Sequence, residues 1–169
     1  MKHKLNMTIL DFSALLEDSG SPVTNDDIRE FEEYYSGVLP EDFKSFLRIA
    51  NGGFPTIDIG IQEVYGISDC QFSIKDTTDD YNSEGYYRIP KGLVWIMHNG
   101  CGDGYCLSIR NDSHGHIYFW SHDGENIKEP SEIKPRLHQY QNIEFISKSF
   151  EQFIGSLILP GTKIKPNLP

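Results

Sequence analysis

The sequence predicts an α+β fold, with N-terminal helices, a central, mainly antiparallel sheet and a C-terminal helix. Three observations carry this. Apolar residues recur every three or four positions up to about residue 50, the spacing changes to two after Pro55, and helical spacing returns at Phe150, Phe153, Ile154 and Leu157. The chain has 169 residues, 38% hydrophobic and 12% aromatic, which suits one core and one domain over residues 1–160, with a short tail at 161–169.

Ile9, Phe12, Leu15 and Leu16 have helix spacing over 7–17, and Gly20-Ser21-Pro22 ends that run. Thr24, followed three residues on by Asp27, reads as an N-cap. It opens a helix whose buried side is Ile28, Phe31 and Tyr35, which runs to about Ser36 and is ended by Gly37. Leu39-Pro40 restarts the chain with Pro at a first helical position, and Phe43, Phe46, Leu47 and Ala50 form the next buried stripe. Asn51-Gly52-Gly53 then supplies residues able to take the left-handed conformation that ends helices.

Ile57, Ile59 and Ile61 alternate with Asp58 and Gly60, the pattern of a half-buried strand. Further strands are expected at 63–67, 71–74, 93–97, 105–109 and 116–120, the last two joined as a hairpin through residues 111–115, so the sheet spans about 56–120. Residues 76–87 are rich in Asp, Thr, Asn, Ser and Gly and read as a long acidic surface loop.

The net charge is −10, and residues 11–42 hold ten acids against the single base Arg29. That concentration disfavours direct nucleic-acid binding, which relies on Lys and Arg against phosphate, and would steer a basic protein partner. The same charge also keeps a protein soluble. The apolar runs near the start are too short for a signal-peptide core, and nothing later reaches membrane-span length, so a cytoplasmic protein without membrane contact is expected. Cys70, Cys101 and Cys106 cannot all pair within the chain, which fits a reducing compartment.

The run Ile28, Phe31, Glu32, then Leu39-Pro40, Phe43, Phe46-Leu47 and Asn51-Gly52-Gly53 resembles the SUKH superfamily in its Smi/Knr-like branch. Gly102-Asp103-Gly104 before a strand, the strand Ile117 to Trp120, and Ser149-Phe150-x-x-Phe153 extend the resemblance over most of residues 8–159. It implies an α+β domain and, in bacteria, an immunity protein that binds and neutralises a cognate protein toxin, often a nuclease. Relatives in fungi regulate cell-wall synthesis, so a regulatory or scaffolding module is the alternative. The long insert around 76–88 and the Pro-containing tail depart from the family pattern.

The segment His98-Asn99-Gly100-Cys101-Gly102-Asp103-Gly104-Tyr105-Cys106 gathers imidazole, thiols and a carboxylate. A zinc site on His98, Cys101 and Cys106 lacks a second paired cluster, although His114, His116 and His122 could complete it, and a phosphate loop would need a helix where a strand is expected. A cysteine nucleophile would need an imidazole at hydrogen-bonding distance. The preferred reading is a glycine-rich turn in which Asp103 bonds local amides and the cysteines pack as small apolar groups. No catalytic residue, metal or cofactor is therefore expected. The partner-binding candidates are Asp26, Glu30 and Glu33, which fall along one strip of a helix, and Asp79 and Asp80 in the acidic loop.

Overall fold

Side-chain caps set where most of the helices of this computed structural model begin. Residues 4–83, 88–124 and 133–157 are described, so the expected tail at 161–169 and the 84–87 end of the expected loop lie outside them. Thr8 accepts from the amide of Asp11 and Asp11 bonds back, starting α1 (Ile9–Ala14). Thr24 and Asp27 form the same reciprocal box ahead of α2 (Asn25–Tyr35). Ser73 caps α4 (Ile74–Tyr81) and Ser149 caps α5 (Phe150–Ser156) in the same position.

In chain order the elements are α1, β1 (Leu16–Glu17), α2, α3 (Glu41–Ile49), β2 (Phe54–Pro55), β3 (Glu63–Val64), α4 (Ile74–Tyr81), β4 (Leu93–His98), β5 (Gly104–Ser108), β6 (Ile117–Trp120), a single 3₁₀ turn (Leu137–Gln139), β7 (Ile143–Ser147) and α5 (Phe150–Ser156). β3 to β7 form a five-stranded sheet in sequence order with every neighbour antiparallel, and β1 pairs separately with β2. The fold is thus α+β. Among the described residues no helix is long and apolar enough to cross a membrane.

The sheet is covered on both faces. On one side Phe12, Phe43, Phe46 and Phe150, all fully buried, bring α1, α3 and α5 together, with ring centroids of Phe43 and Phe46 each 5.0 Å from Phe150. That group meets the sheet where Phe153 lies 4.7 Å from Tyr105. On the other side α4 lays Tyr81 against Trp95 and Trp120, at 4.9 and 5.0 Å. Thr78 on the same helix accepts from the backbone N–H of Trp95 at 3.0 Å, next to a bulge in the β4–β5 ladder.

Several expectations are corrected. Residues 57–61 are not a strand: Asp58 accepts from the Gly60 amide, Gly60 has a positive φ of 76°, and a loop results that buries Ile59 and Ile61 but leaves Ile57 exposed. The strand expected at 63–67 shortens to two residues. Neither a strand at 71–74 nor a loop through 76–81 forms, because Ser73 caps α4 there. The helix expected over 7–17 is only α1, since Leu16 and Glu17 are drawn into pairing with Phe54 and Pro55. Pro40 sits at the N-cap, one position earlier than expected, and Ser36 rather than Gly37 takes the left-handed conformation ending α2, with φ 52°. Strand β7 was not expected at all, and it extends the sheet beyond residue 120.

Asn51 does more than end α3. It is 1% exposed, its Nδ2 donates to the carbonyls of Ser21 and Ser68, and its Oδ1 accepts from the Ile67 amide at 2.9 Å. Replacing Asn51 by Leu leaves those buried backbone groups without partners and is expected to destabilise the protein by about 3 kcal/mol in a denaturant titration. Phe46→Ala opens a cavity among the four phenylalanines and is expected to lose about 3 to 5 kcal/mol in the same measurement. Wild-type stability of either variant would show that the interior is assigned wrongly.

Candidate functional site

Ile28 and Phe31 are buried, and this turns the opposite side of α2 outward. Asp26, Glu30 and Glu33 lie exposed on that side, with 74% of the Asp26 side chain and 71% of the Glu33 side chain open to solvent. Arg29 stands among them, 2.8 Å from Asp26 and 3.8 Å from Glu33, so the strip is acidic with one basic residue set into it. The neighbouring acids are consumed by the fold. Asp27 caps its own helix, and Glu32 accepts from the Leu39 amide while pairing with Lys44, each at 2.8 Å.

Asp79 and Asp80 lie on α4 rather than in a loop. Asp79 ties α4 to α2: it accepts from the hydroxyl of Tyr34 at 2.7 Å and pairs with Lys75 at 3.2 Å. Lys75 also lies 4.2 Å above the ring of Tyr34, and burial pushes the Tyr35 hydroxyl pKa up, with the Asp79 charge adding to it. Asp80 stays exposed. Two groups of acids far apart in sequence are therefore carried on adjoining helices, with Tyr34, 53% exposed, between them. A groove of about 270 Å³ lined by Asp27, Glu30, Tyr34 and Lys75 runs along this junction.

The 98–106 segment is divided between a turn and two strands. His98 ends β4, Gly104 to Cys106 belong to β5, and the turn between them is held by Asn99, whose Oδ1 accepts from the amides of Cys101 and Asp103. That corrects the expectation for Asp103, which bonds His122 instead, accepting from its backbone N–H at 2.9 Å and lying 2.6 Å from its Nδ1. Cys106 is fully buried and burial pushes its thiol up, whereas Cys101 is exposed on the turn. Among the described residues no three His, Cys, Asp or Glu side chains are grouped to hold a metal ion.

A groove of about 690 Å³ depends on strand β7, an element not expected from the sequence. His116 and Tyr118 of the β5–β6 hairpin, Leu137 and His138 of the 3₁₀ turn, and Phe145 of β7 line it. The ring of Phe145 is 5.3 Å from His116 and 5.9 Å from Tyr118.

The Asp103–His122 contact makes stability depend on pH. The bond to Asp103 raises the His122 pKa above its ordinary 6.5. Burial pushes Asp103 up, but the bonds from His122 outweigh it and hold the carboxyl below the ordinary 3.8. The His122 contribution is whole below 6.5 and fades as pH rises through the raised value. The Asp103 contribution is whole above 3.8 and fades as pH falls through the lowered value. Raising pH from about 6 to about 9 is expected to lower the Tm of the wild type more than that of His122→Ala. Equal losses would remove this contact as the source. A thiol reagent is expected to modify Cys101 in the native protein and Cys106 only after denaturation; rapid native labelling of Cys106 would contradict its burial.

The pattern of the SMI1 / KNR4 family (SUKH-1) matches residues 22–156, a span that begins just before the cap of α2 and closes with α5. The chain is also similar, at 24% identity over 162 residues, to the SPbeta prophage-derived uncharacterized protein YokK of Bacillus subtilis (strain 168), with 80% of this chain and 74% of that protein covered. The matched span holds the capped α2, Leu39-Pro40, Asn51-Gly52-Gly53 and the whole five-stranded sheet, and on that ground the chain belongs to the SMI1 / KNR4 family (SUKH-1).

Proposed function

We propose that this chain is an immunity protein that binds a cognate protein toxin and holds it inactive, using the acidic outer side of α2 against a basic surface such as the substrate groove of a nuclease domain. The observation that carries the reading is the division of acids on α2. Asp27 and Glu32 have structural partners, while Asp26, Glu30 and Glu33 face solvent. Glu33 lies in the last turn of the helix, the negative end of its dipole, where a carboxylate costs about 0.3 to 1 kcal/mol. A strip needed only for solubility has no reason to place an acid there, and Arg29 offsets only part of the cost.

A nuclease groove holds phosphate with Lys and Arg, and an inhibitor that presents carboxylates can occupy it without chemistry of its own. Asp80 on α4 and the exposed ring of Tyr34 extend the strip towards a second helix, giving it an aromatic anchor beside the charges. The role is binding rather than turnover. No cofactor enters it.

The test begins with pull-down of the full chain co-expressed with the protein encoded by the adjacent reading frame. With that partner in hand, reversing Glu30 and Glu33 to Lys together is expected to slow association by about tenfold at low salt and to weaken its salt dependence, with thermal stability nearly unchanged. Wild-type association rates for the double reversal would reduce the strip to a solubilising face. Recovery of a house-keeping protein, and no toxin, would assign the regulatory role instead.

A further inference from the structure

Asparagine followed by glycine is prone to one spontaneous reaction, because the glycine nitrogen can reach the asparagine side-chain carbonyl with no β-carbon in its way. The sequence holds two such pairs, Asn51-Gly52 and Asn99-Gly100. The fold treats them differently. Asn51 is 1% exposed, and its Nδ2, the group that would have to leave, donates to the carbonyls of Ser21 and Ser68. Asn99 lies in the turn between β4 and β5, with Gly100 exposed beside it.

The bonding of that turn favours reaction at Asn99. Its Oδ1 accepts from the Cys101 amide at 2.8 Å and from the Asp103 amide at 3.2 Å, which draws electrons from Cγ and sets two donors where an oxyanion would form. A side chain bonded to the N–H two residues on also folds back over the peptide between them, which carries Cγ towards the Gly100 nitrogen. Among the described residues the Gly100 N–H has no acceptor and the Asn99 Nδ2 no partner, so neither nucleophile nor leaving group is tied up. We infer that Asn99 is a site of spontaneous deamidation in the folded protein, whereas Asn51 is protected. The Gly100 nitrogen gives its proton to hydroxide and bonds to Asn99 Cγ. The Cγ–Nδ2 bond breaks, and Nδ2 leaves as ammonia with a proton taken from water. Water then opens the resulting cyclic imide at either carbonyl, giving aspartate or isoaspartate. Both products place a new carboxylate in the turn that carries Asp103, and isoaspartate also inserts Cβ into the main chain. The inference goes beyond the proposed binding role and does not rest on it.

Peptide mapping of the full chain by mass spectrometry, after incubation at mildly alkaline pH with and without denaturant, tests it. In the native chain Asn99 is expected to convert at least about tenfold faster than Asn51, and in denaturant the two are expected to react within about threefold of each other. Native Asn99 is also expected to react no more slowly than denatured Asn99, since the turn assists the step. As a second measurement, dilute hydroxylamine, which cleaves a chain at the cyclic imide, is expected to cut the native protein after Asn99 and the denatured protein after both Asn51 and Asn99. Asn99→Gln, with circular dichroism to confirm its fold, is expected to lose the cut at that position. Native conversion of Asn99 no faster than that of Asn51, the same preference for Asn99 in the denatured chain, slower reaction of Asn99 in the native chain than in the denatured one, or a native protein that hydroxylamine leaves whole would each overturn the inference.

Discussion

The fold depends on one buried amide. Strands β1, β2 and β3 are two residues long each, too short to hold the N-terminal helices to the sheet by ladder bonds alone. The Asn51 side chain takes over that work, joining the segment after α1 at Ser21 to the segment after β3 at Ile67 and Ser68. The chain must approach closely for this. A side chain at Gly66 would overlap the Asn51 amide, and one at Gly52 would come within 2.8 Å of the Val64 carbonyl. Gly53, with φ 128°, exchanges backbone bonds with Val64 at 2.9 Å in both directions. Asn51, Gly52 and Gly53 are therefore one device: the amide supplies the bonds, and the glycines let the strands come near enough to receive them.

Most of the helical half was legible in the sequence, because caps and buried stripes are local. Thr24 with Asp27, the Phe43, Phe46, Leu47 stripe and the Phe150, Phe153, Ile154 stripe all lie where spacing placed them. The strands at the centre of the sheet were legible for the same reason, since β4, β5 and β6 are near-continuous apolar runs. What escaped was set by distant partners. Residues 74–81 contain Thr, Asp and Tyr in place of an apolar stripe, and they hold a helix because Ser73 caps it and Tyr81 and Thr78 find Trp95 and Trp120. Strand β7, at the sheet edge, has no buried face of its own to announce it, although Ile143, Phe145 and Ile146 carry strand-forming side chains.

The candidate site was legible in part. Helical spacing alone put Asp26, Glu30 and Glu33 on one strip, and burial of Ile28 and Phe31 supplies the physical reason they face solvent. Spacing could not reveal that Asp79 is bound by Tyr34 and Lys75, a contact 45 residues apart in sequence at its tyrosine end. That bond changes the meaning of the second acidic cluster. Asp79 positions α4 beside α2, and Asp80 is left to present its charge outward. In the 98–106 segment, side chains that stand together in the sequence are separated once β4 and β5 pair, because Cys106 enters the core while Cys101 stays on the turn.

A single helix can serve both folding and recognition only if the two sets of side chains are independent. On α2 they are. The inward set, Ile28 and Phe31 with Asp27 and Glu32, holds the helix to the core, to its own cap and to Lys44 of α3. Of the outward set, Asp26 and Glu33 pair with Arg29, and exposed pairs of this kind contribute little to stability. Sequence change on the outward set can therefore leave the fold intact, and a shared fold does not by itself fix a partner. The outward charges of α2 are thus ones the core does not use, and the buried amide of Asn51 helps keep the helix that carries them in place.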